Sequence, residues 1–352
     1  MRIYPVFIPH AGCPHRCLFC AQDRSTSPSV VPEVTAVPDV NTVYNWLDSA
    51  LPLLKDMPRH EAIPLQDGSE IAFYGGTFSL LPLSQQAQYL ETARHFITCG
   101  RVAGVRISTR PDALDDECIS RLIACGVTTI EIGCQSFDNS VLAAAGRGHT
   151  VADNSSAIQR CQNAGLQVGA QLMPGLPGGD DDEALMSLQQ ALELKPSFVR
   201  IYPTVVIAGT GLAELWASGG YKSWTLDEAV DVCADMLHLC RRVDIPIIRL
   251  GLHGDPQLEK NLLAGPYHPA FGQLVRSRLW RRALFKTCPN NEQLTIDHVG
   301  VNPDDLSDVL GHRGENRQWL KTTRPLLRVM ADKAVERGFL RVNGQCLGLV
   351  DL

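Results

Sequence analysis

The chain has 352 residues, 45% of them apolar and 20% charged, with a formal net charge of −6. That length allows one large α/β domain plus a smaller one, the acidic balance speaks against a large nucleic-acid footprint, and no apolar run is long enough to span a bilayer. Met1-Arg2-Ile3 leads straight into a first strand without a signal peptide, so a cytoplasmic protein is expected, and its twelve cysteines then read as reduced thiols or metal ligands, not a disulfide framework.

Ile3 to Ile8 is a short apolar run with Tyr and Val and reads as a strand. The loop after it carries Cys13, Cys17 and Cys20 at C-x3-C-x2-C spacing. Arg24 to Asp39, rich in Ser, Pro and Val, reads as irregular loop, and so does Lys55 to Gly68. Between them Asn41 to Leu54 sets Val43, Trp46, Leu47 and Leu51 on one helical face.

From Glu70 the pattern alternates. Strands are predicted at Glu70 to Tyr74, Val102 to Thr109, Val127 to Ile132, Leu166 to Leu172 and Phe198 to Tyr202, with a further one at Pro246 to Leu250. Helices fall between them: Ser84 to Ile97 with Ser84 as its cap, Asp115 to Cys125, Asp138 to Ala145, Asp153 to Ala164, Asp182 to Leu194 and Leu226 to Val243. Alternation at this spacing predicts a parallel sheet with right-handed crossovers. About six units are too few for a full (β/α)8 barrel, so the expected fold is an open, partial (β/α)6 barrel over residues 1–262. Residues 263–352 read as a small α+β extension, with helices at Gln273 to Phe285, Asp304 to Leu310, Asn316 to Leu320 and Pro325 to Arg337, and strands at Gln293 to Val299 and Leu340 to Val342.

In a parallel barrel, ligands gather at the carboxyl ends of the strands, and the unusual residues of this chain fall there. They are the cysteine loop, Gly75-Gly76-Thr77, Ser108-Thr109-Arg110-Pro111-Asp112, Gly133-Cys134-Gln135-Ser136, Gln171 through Gly178, and Tyr202-Pro203-Thr204. Three thiolates in one loop can converge on a metal centre. A zinc ion would want a fourth ligand close by, for which His10 and His15 are available. A four-iron cluster can be held by three thiolates, which leaves one iron open to chelate the amino and carboxylate groups of S-adenosylmethionine.

The cysteine loop, with Phe19 just before the third cysteine, closely resembles that of the radical SAM superfamily. The segments YGGTF, STRPD, EIGCQSF, MPGLPG, RIYPTVVIAGTGL and YHPAFGQLV are similar to the radical SAM core of the Elongator catalytic-subunit family, over roughly Arg2 to Leu274. GCQSF, GRGH and GLPG also resemble the oxygen-independent coproporphyrinogen oxidase group. The resemblance implies a [4Fe–4S] cluster on Cys13, Cys17 and Cys20, with S-adenosylmethionine on the open iron. By it Gly75, Gly76 and Thr77 lie at the methionine end, Arg147 offers a cation to the carboxylate, and Ser108, Gln135 and Gln171 lie along the ribose. The family's N-terminal tRNA-binding segment and C-terminal acetyltransferase domain are not recognisable here, and relatives often carry Asp or His at the position of Gln171.

The enzyme so implied would cleave S-adenosylmethionine to a 5′-deoxyadenosyl radical, with electrons from a flavodoxin- or ferredoxin-type donor. Its substrate is a small molecule, a peptide or a tRNA base, and no membrane partner is expected. Two other readings stand beside it: a non-catalytic iron–sulfur or haem-handling protein on the same scaffold, and a zinc-stabilised RNA-binding module. Cys134 could donate a hydrogen atom or be a small core residue; Cys118, Cys125, Cys233 and Cys240 read as core, and Cys288 and Cys346 as isolated. Tyr202 and His253 could face a substrate or pack at the barrel mouth. The basic run Arg276 to Lys286, with Trp280 in its midst, is a solvated helix face or a base-stacking surface, and Gly311 to Arg317 is a plain loop or a phosphate grip.

Overall fold

The computed structural model describes residues 2–21, 37–51, 68–254, 256–287 and 298–351. Most of the irregular stretches expected over Arg24 to Asp39 and Lys55 to Gly68, most of the strand expected over Gln293 to Val299, and Cys288 lie outside the described residues. The chain runs β1 (Ile3–Phe7), α1 (Val40–Ala50), β2 (Glu70–Tyr74), α2 (Leu83–Thr98), β3 (Gly104–Thr109), α3 (Asp116–Ala124), β4 (Val127–Gln135), α4 (Asn139–Ala144), α5 (Val151–Asn163), β5 (Gln167–Leu172), α6 (Asp181–Glu193) and β6 (Phe198–Ile201). It continues with β7 (Val206–Ile207), α7 (Gly211–Ala217), α8 (Leu226–Arg242), β8 (Ile247–Leu250), α9 (Pro256–Asn261), β9 (Leu262–Ala264) and α10 (Phe271–Thr287). Last come β10 (His298–Val301), α11 (Leu306–Leu310), α12 (Glu315–Thr323), β11 (Arg328–Ala331), β12 (Phe339–Val342) and β13 (Gln345–Gly348).

Seven strands form one parallel sheet in strictly sequential order, β1-β2-β3-β4-β5-β6-β8. This is the expected partial barrel: six β/α units plus the further strand at β8. Its strands alternate with period two. Val105 and Ile107, Ile130 and Ile132, Val168 and Ala170, and Val199 and Ile201 belong to the main apolar core. Ser108, Glu131, Gln171 and Arg200, which alternate with them, line the cavity on the concave side, and Arg106 bonds Glu131 there. A sheet covered by helices on one face and open to a cavity on the other must sort its residues this way. Side-chain caps fix several helix starts. Thr150 with Asp153 and Thr225 with Glu228 make reciprocal capping boxes, and Asp115, Asp138 and Asp180 cap α3, α4 and α6. The cap expected at Ser84 is not there: α2 starts one residue earlier, after Pro82, without a side-chain cap.

The second sheet has the order β11-β10-β12-β13. Here the structure corrects the reading of Pro325 to Arg337 as a helix, because Arg328–Ala331 pairs in parallel with β10. The segment has helix-like spacing of its apolar residues, but a strand edge at β10 offers four backbone partners, and tertiary pairing overrides local preference. The β12–β13 hairpin turns at Asn343-Gly344, with φ of 48° and 80°, the left-handed pair that a two-residue hairpin turn requires.

Helix α10 explains the basic run. Arg278 pairs with Asp227 at 2.5 Å and with Asp231, Arg282 with Asp231 and Asp235 at 2.6 Å, and Arg276 with Asp308 at 2.6 Å. The aspartates repeat every four residues on α8 and so share one face. Arg281 lies over the Trp319 ring at 4.8 Å. These charges are spent on neighbouring helices, and Trp280, 2% exposed, cannot stack a base. The Gly311 to Arg317 loop is likewise taken up in packing: His312 meets Gln273 at 3.0 Å, and the Asn316 amide donates to the carbonyls of Ser277 and Val309.

Between β5 and β6, Gly169 faces Phe198, and a Cβ at Gly169 would sit 2.1 Å from the Phe198 ring. Gly169→Ala should therefore cost about 1–3 kcal/mol of stability. Urea unfolding should show a smaller loss for the same change in a Phe198→Leu background, and equal losses in the two backgrounds would sink this account.

Candidate active site

The cysteine loop is held from both sides by backbone. His10 N–H donates to the Gly75 carbonyl at 2.9 Å, and Thr77 N–H donates to the Ala11 carbonyl at 2.8 Å. These bonds fasten the loop to the turn after β2. On the other side, Leu18 N–H donates to the Ala145 carbonyl at 3.1 Å and Leu212 N–H to the Leu18 carbonyl at 2.8 Å. The approach to the β2 turn is close enough to demand glycine: a Cβ on Gly76 would lie 2.3 Å from the Ala11 oxygen, and one on Gly12 2.2 Å from the Thr77 oxygen. The GGT motif is thus the seat of the cysteine loop.

A cavity of about 660 Å³ opens over the carboxyl ends of the strands, within the range of about 300–1,000 Å³ typical of ligand sites. Every residue singled out for cofactor or metal binding lines it: Cys13, Cys17, Phe19, Cys20, Gly75, Gly76, Thr77, Ser108, Gln135, Arg147 and Gln171. The polar contacts among them are specific. Arg147 Nη1 donates to Cys17 Sγ at 3.2 Å, and Nη2 donates to the Gly133 carbonyl at 2.7 Å. Thr77 Oγ1 lies 3.3 Å from Cys13 Sγ, and His10 Nδ1 lies 3.9 Å from Cys20 Sγ. Gln171 Nε2 donates to Gln135 Oε1 at 3.2 Å. Gln135 sits at a register shift in β4 with φ of 68°; a bulge and a left-handed non-glycine residue at a strand end aim a side chain at some energetic cost.

Arg147 is itself positioned from behind. Arg110, paired through two bonds with Asp112, donates to the Arg147 carbonyl at 2.5 Å. His149, two residues on, is buried with its ring against the Cys134 carbonyl at 3.3 Å. Burial, with Arg147 and Arg110 close by, pushes His149 down to about 4, so it is a neutral prop. Cys134 does not face the cavity. It lies 0% exposed on the helix side of β4, in the main apolar core, with its thiol pushed up to about 12 by burial. That removes it as a hydrogen donor to a bound substrate.

Sequence reasoning singled out Tyr202 and His253 at the far wall of the cavity but missed the charged group beside and beneath them. Glu131, 2% exposed, accepts from Tyr74 at 2.9 Å and Arg106 at 2.7 Å, and is also bonded by Arg200. Arg106 is held on its other side by Glu70 at 2.7 Å, and Arg200 reaches the Tyr202 hydroxyl. Arg200 and Tyr202 line the cavity together with Arg249 and His253. Arg106, Glu131, Arg200 and Arg249 are lone charged residues inside apolar strands, a local hint at the inward face that does not say which of them meet.

The donor set suits an iron–sulfur cluster. Cys13, Cys17 and Cys20 all line the one cavity, and a cluster takes each thiolate on a different iron. Arg147 bonds the Cys17 sulfur, and a hydrogen bond to a cysteine sulfur is one of the means by which a protein tunes a cluster held there. The Arg147 Nε is buried and has no partner in the structure, a donor left over for an anionic group.

Comparison with known proteins agrees. The family model of the radical SAM superfamily matches residues 7–191, and that of the Radical_SAM C-terminal domain matches 196–281. The tRNA uridine(34) acetyltransferase of Methanocaldococcus jannaschii is 30% identical over 250 residues, 62% of this chain and 45% of that protein. Elongator complex protein 3 of Schizosaccharomyces pombe is 31% identical over 194 residues, 49% of this chain and 36% of that protein. The chain spans about half the length of the curated relatives it matches. In fold it is similar to Methanocaldococcus infernus Elp3 lacking residues 1–46, with a TM-score of 0.60 and 22% identity over 80% of this chain and 63% of that one.

Two measurements test the buried charges. Arg106→Met leaves Glu70 and Glu131 short of their shared cation and should cost about 3–5 kcal/mol, read from urea unfolding; a loss under about 1 kcal/mol would contradict the network. His149 binds its proton near pH 4 when folded and near 6.5 when unfolded, so its effect on stability is nil above about 6.5 and grows unfavourable as pH falls toward 4. His149→Gln should flatten the pH dependence of the unfolding midpoint between those values. His253, also pushed down to about 4, shares the window, so the slope should shrink without vanishing.

Proposed function

Because the chain belongs to the radical SAM superfamily, we propose that this enzyme holds a [4Fe–4S] cluster on Cys13, Cys17 and Cys20, with S-adenosylmethionine bound across the barrel mouth. Held there, the cluster would supply the single electron for reductive cleavage of S-adenosylmethionine to methionine and a 5′-deoxyadenosyl radical, the species that would abstract a substrate hydrogen atom. The chain's own residues bind, orient and shield. Gly75, Gly76 and Thr77 let the methionine end approach the backbone. Arg147, with its unpartnered Nε, answers the carboxylate. Ser108, Gln135 and Gln171 serve the ribose, and Phe19, packed with Met173 and Leu176, covers the site on its apolar side.

The observation that carries this reading is the convergence of all eleven residues on one cavity at the strand ends. The same reading treats residues 1–262 as the catalytic barrel and 263–352 as an extension, supported by a second sheet built wholly from residues after 297. A flavodoxin- or ferredoxin-type donor and a cytoplasmic setting go with it, and among the described residues no helix is long and apolar enough to cross a membrane. The relatives described as a tRNA uridine(34) acetyltransferase make a tRNA base one candidate substrate. A small molecule or peptide is the other, favoured by the commitment of the α10 arginines to aspartates.

Anaerobic reconstitution with iron and sulfide, followed by S-adenosylmethionine and dithionite, should yield 5′-deoxyadenosine. Cys17→Ala should lower that yield to background. A wild type that holds a full cluster yet makes none, with or without bulk tRNA, would favour the non-catalytic scaffold. Zinc bound in place of iron and sulfide would overturn the reading of the cysteine loop.

A further inference from the structure

The wall of the cavity formed by β6 and β8 carries more positive charge than the fold uses. Arg200 and Arg249 are cross-strand partners in the parallel pair, and both line the cavity. Like charges set opposite each other on neighbouring strands repel. Among the described residues Glu131 and Glu70 are the two carboxylates that pair here, and between them they serve Arg106 and Arg200. That leaves three guanidiniums against two carboxylates among the described residues. Arg249 is the one left over, its Nε donating only to the backbone carbonyl of Gly251 at 2.9 Å.

A second observation points the same way. Arg200 Nε is buried and has no hydrogen-bond partner in the structure, and an unmet donor on a side chain 13% exposed is costly unless something fills it. Burial and the neighbouring Arg200 hold the Arg249 guanidinium below its usual range. His253, on the same wall, is neutral at pH 7 and offers a ring N–H without adding charge. On the cysteine side Arg147 already answers the carboxylate of S-adenosylmethionine, and Arg110 is occupied by Asp112, so neither cation is available to the far wall.

We propose that the substrate of this enzyme carries an oxyanion, a carboxylate or a phosphate, that docks on Arg249 and Arg200 with Tyr202 and His253 beside it. The proposal rests on the radical SAM reading of the cavity and narrows its substrate to an anionic class. An anion there removes the repulsion between the two arginines and satisfies the open donor in one contact. It also fixes one end of the substrate against the wall across from the cysteine loop.

The test uses the full chain, reconstituted without oxygen and saturated with S-adenosylmethionine, at constant ionic strength. Inorganic phosphate, malonate and uridine 5′-monophosphate are titrated separately, and the thermal unfolding midpoint is followed. At least one probe should raise the midpoint saturably, and the tightest of the three names the source of the anion. Arg249→Gln should weaken that probe about tenfold or more, the scale of a lost charge-assisted bond; Arg249→Lys should keep part of the response, and His253→Ala gives a second readout if Arg249→Gln does not fold. No response to any probe, an equal response in Arg249→Gln, or a response that S-adenosylmethionine abolishes would overturn the proposal. A wild type that makes no 5′-deoxyadenosine but shows the Arg249-dependent response upholds the anion site and removes the radical reading. One that makes 5′-deoxyadenosine without the response does the reverse.

Discussion

One carboxylate organises the concave side of this molecule. Glu131, nearly inaccessible to water, gathers Tyr74 from β2, Arg106 from β3 and Arg200 from β6. A buried charge is tolerable only when it is paired and hydrogen-bonded, and here the partners come from three other strands. The inner face of the sheet is therefore polar by necessity and fixed in arrangement. The cavity above it inherits that arrangement: Tyr202 is placed by Arg200, and the Tyr74 hydroxyl is held well above its ordinary range by burial and by Glu131, which keeps it a donor.

The mouth of the barrel obeys a different constraint, closeness of backbone. The cysteine loop sits where a side chain at Gly12 or Gly76 would collide with a carbonyl. Gly146, Gly148 and Gly211 meet the same loop from the other strand ends, through Leu18 and His15. The thiols are thus positioned by main chain, while Arg147 reaches Cys17 across 130 residues of sequence. Gly133 makes room for that reach, since a Cβ there would press on the Gln135 amide at 2.9 Å and on Arg147 at 3.4 Å.

What was legible in the sequence was what depends on short-range pattern. The spacing of Cys13, Cys17 and Cys20, the alternation of strands and helices, and the glycine-rich strand ends located the fold and its mouth. Three things were not legible, each because a distant partner decides them. Arg328–Ala331 becomes a strand only because β10 lies beside it. The arginines of α10 look like a free basic face until the aspartates of α8 are brought against them. Glu131 and Arg200 are 69 residues apart and read as isolated charges until the sheet sets them on one face. Asn343-Gly344 is a different case: its hairpin signal is local and directly follows the strand expected at Leu340 to Val342.

The sheet stops at seven strands, and among the described residues β1 and β8 do not pair with each other. In a closed barrel, strand number and shear together fix the radius. An arc has no closure condition, so its backbone ladder leaves its curvature undetermined. Curvature must then be set by whatever ties across the hollow, and the bonds from Glu131 to Tyr74 and Arg200 span five of the seven strands from β2 to β6. The width of the chamber is in this sense a side-chain quantity, written in one glutamate and its partners.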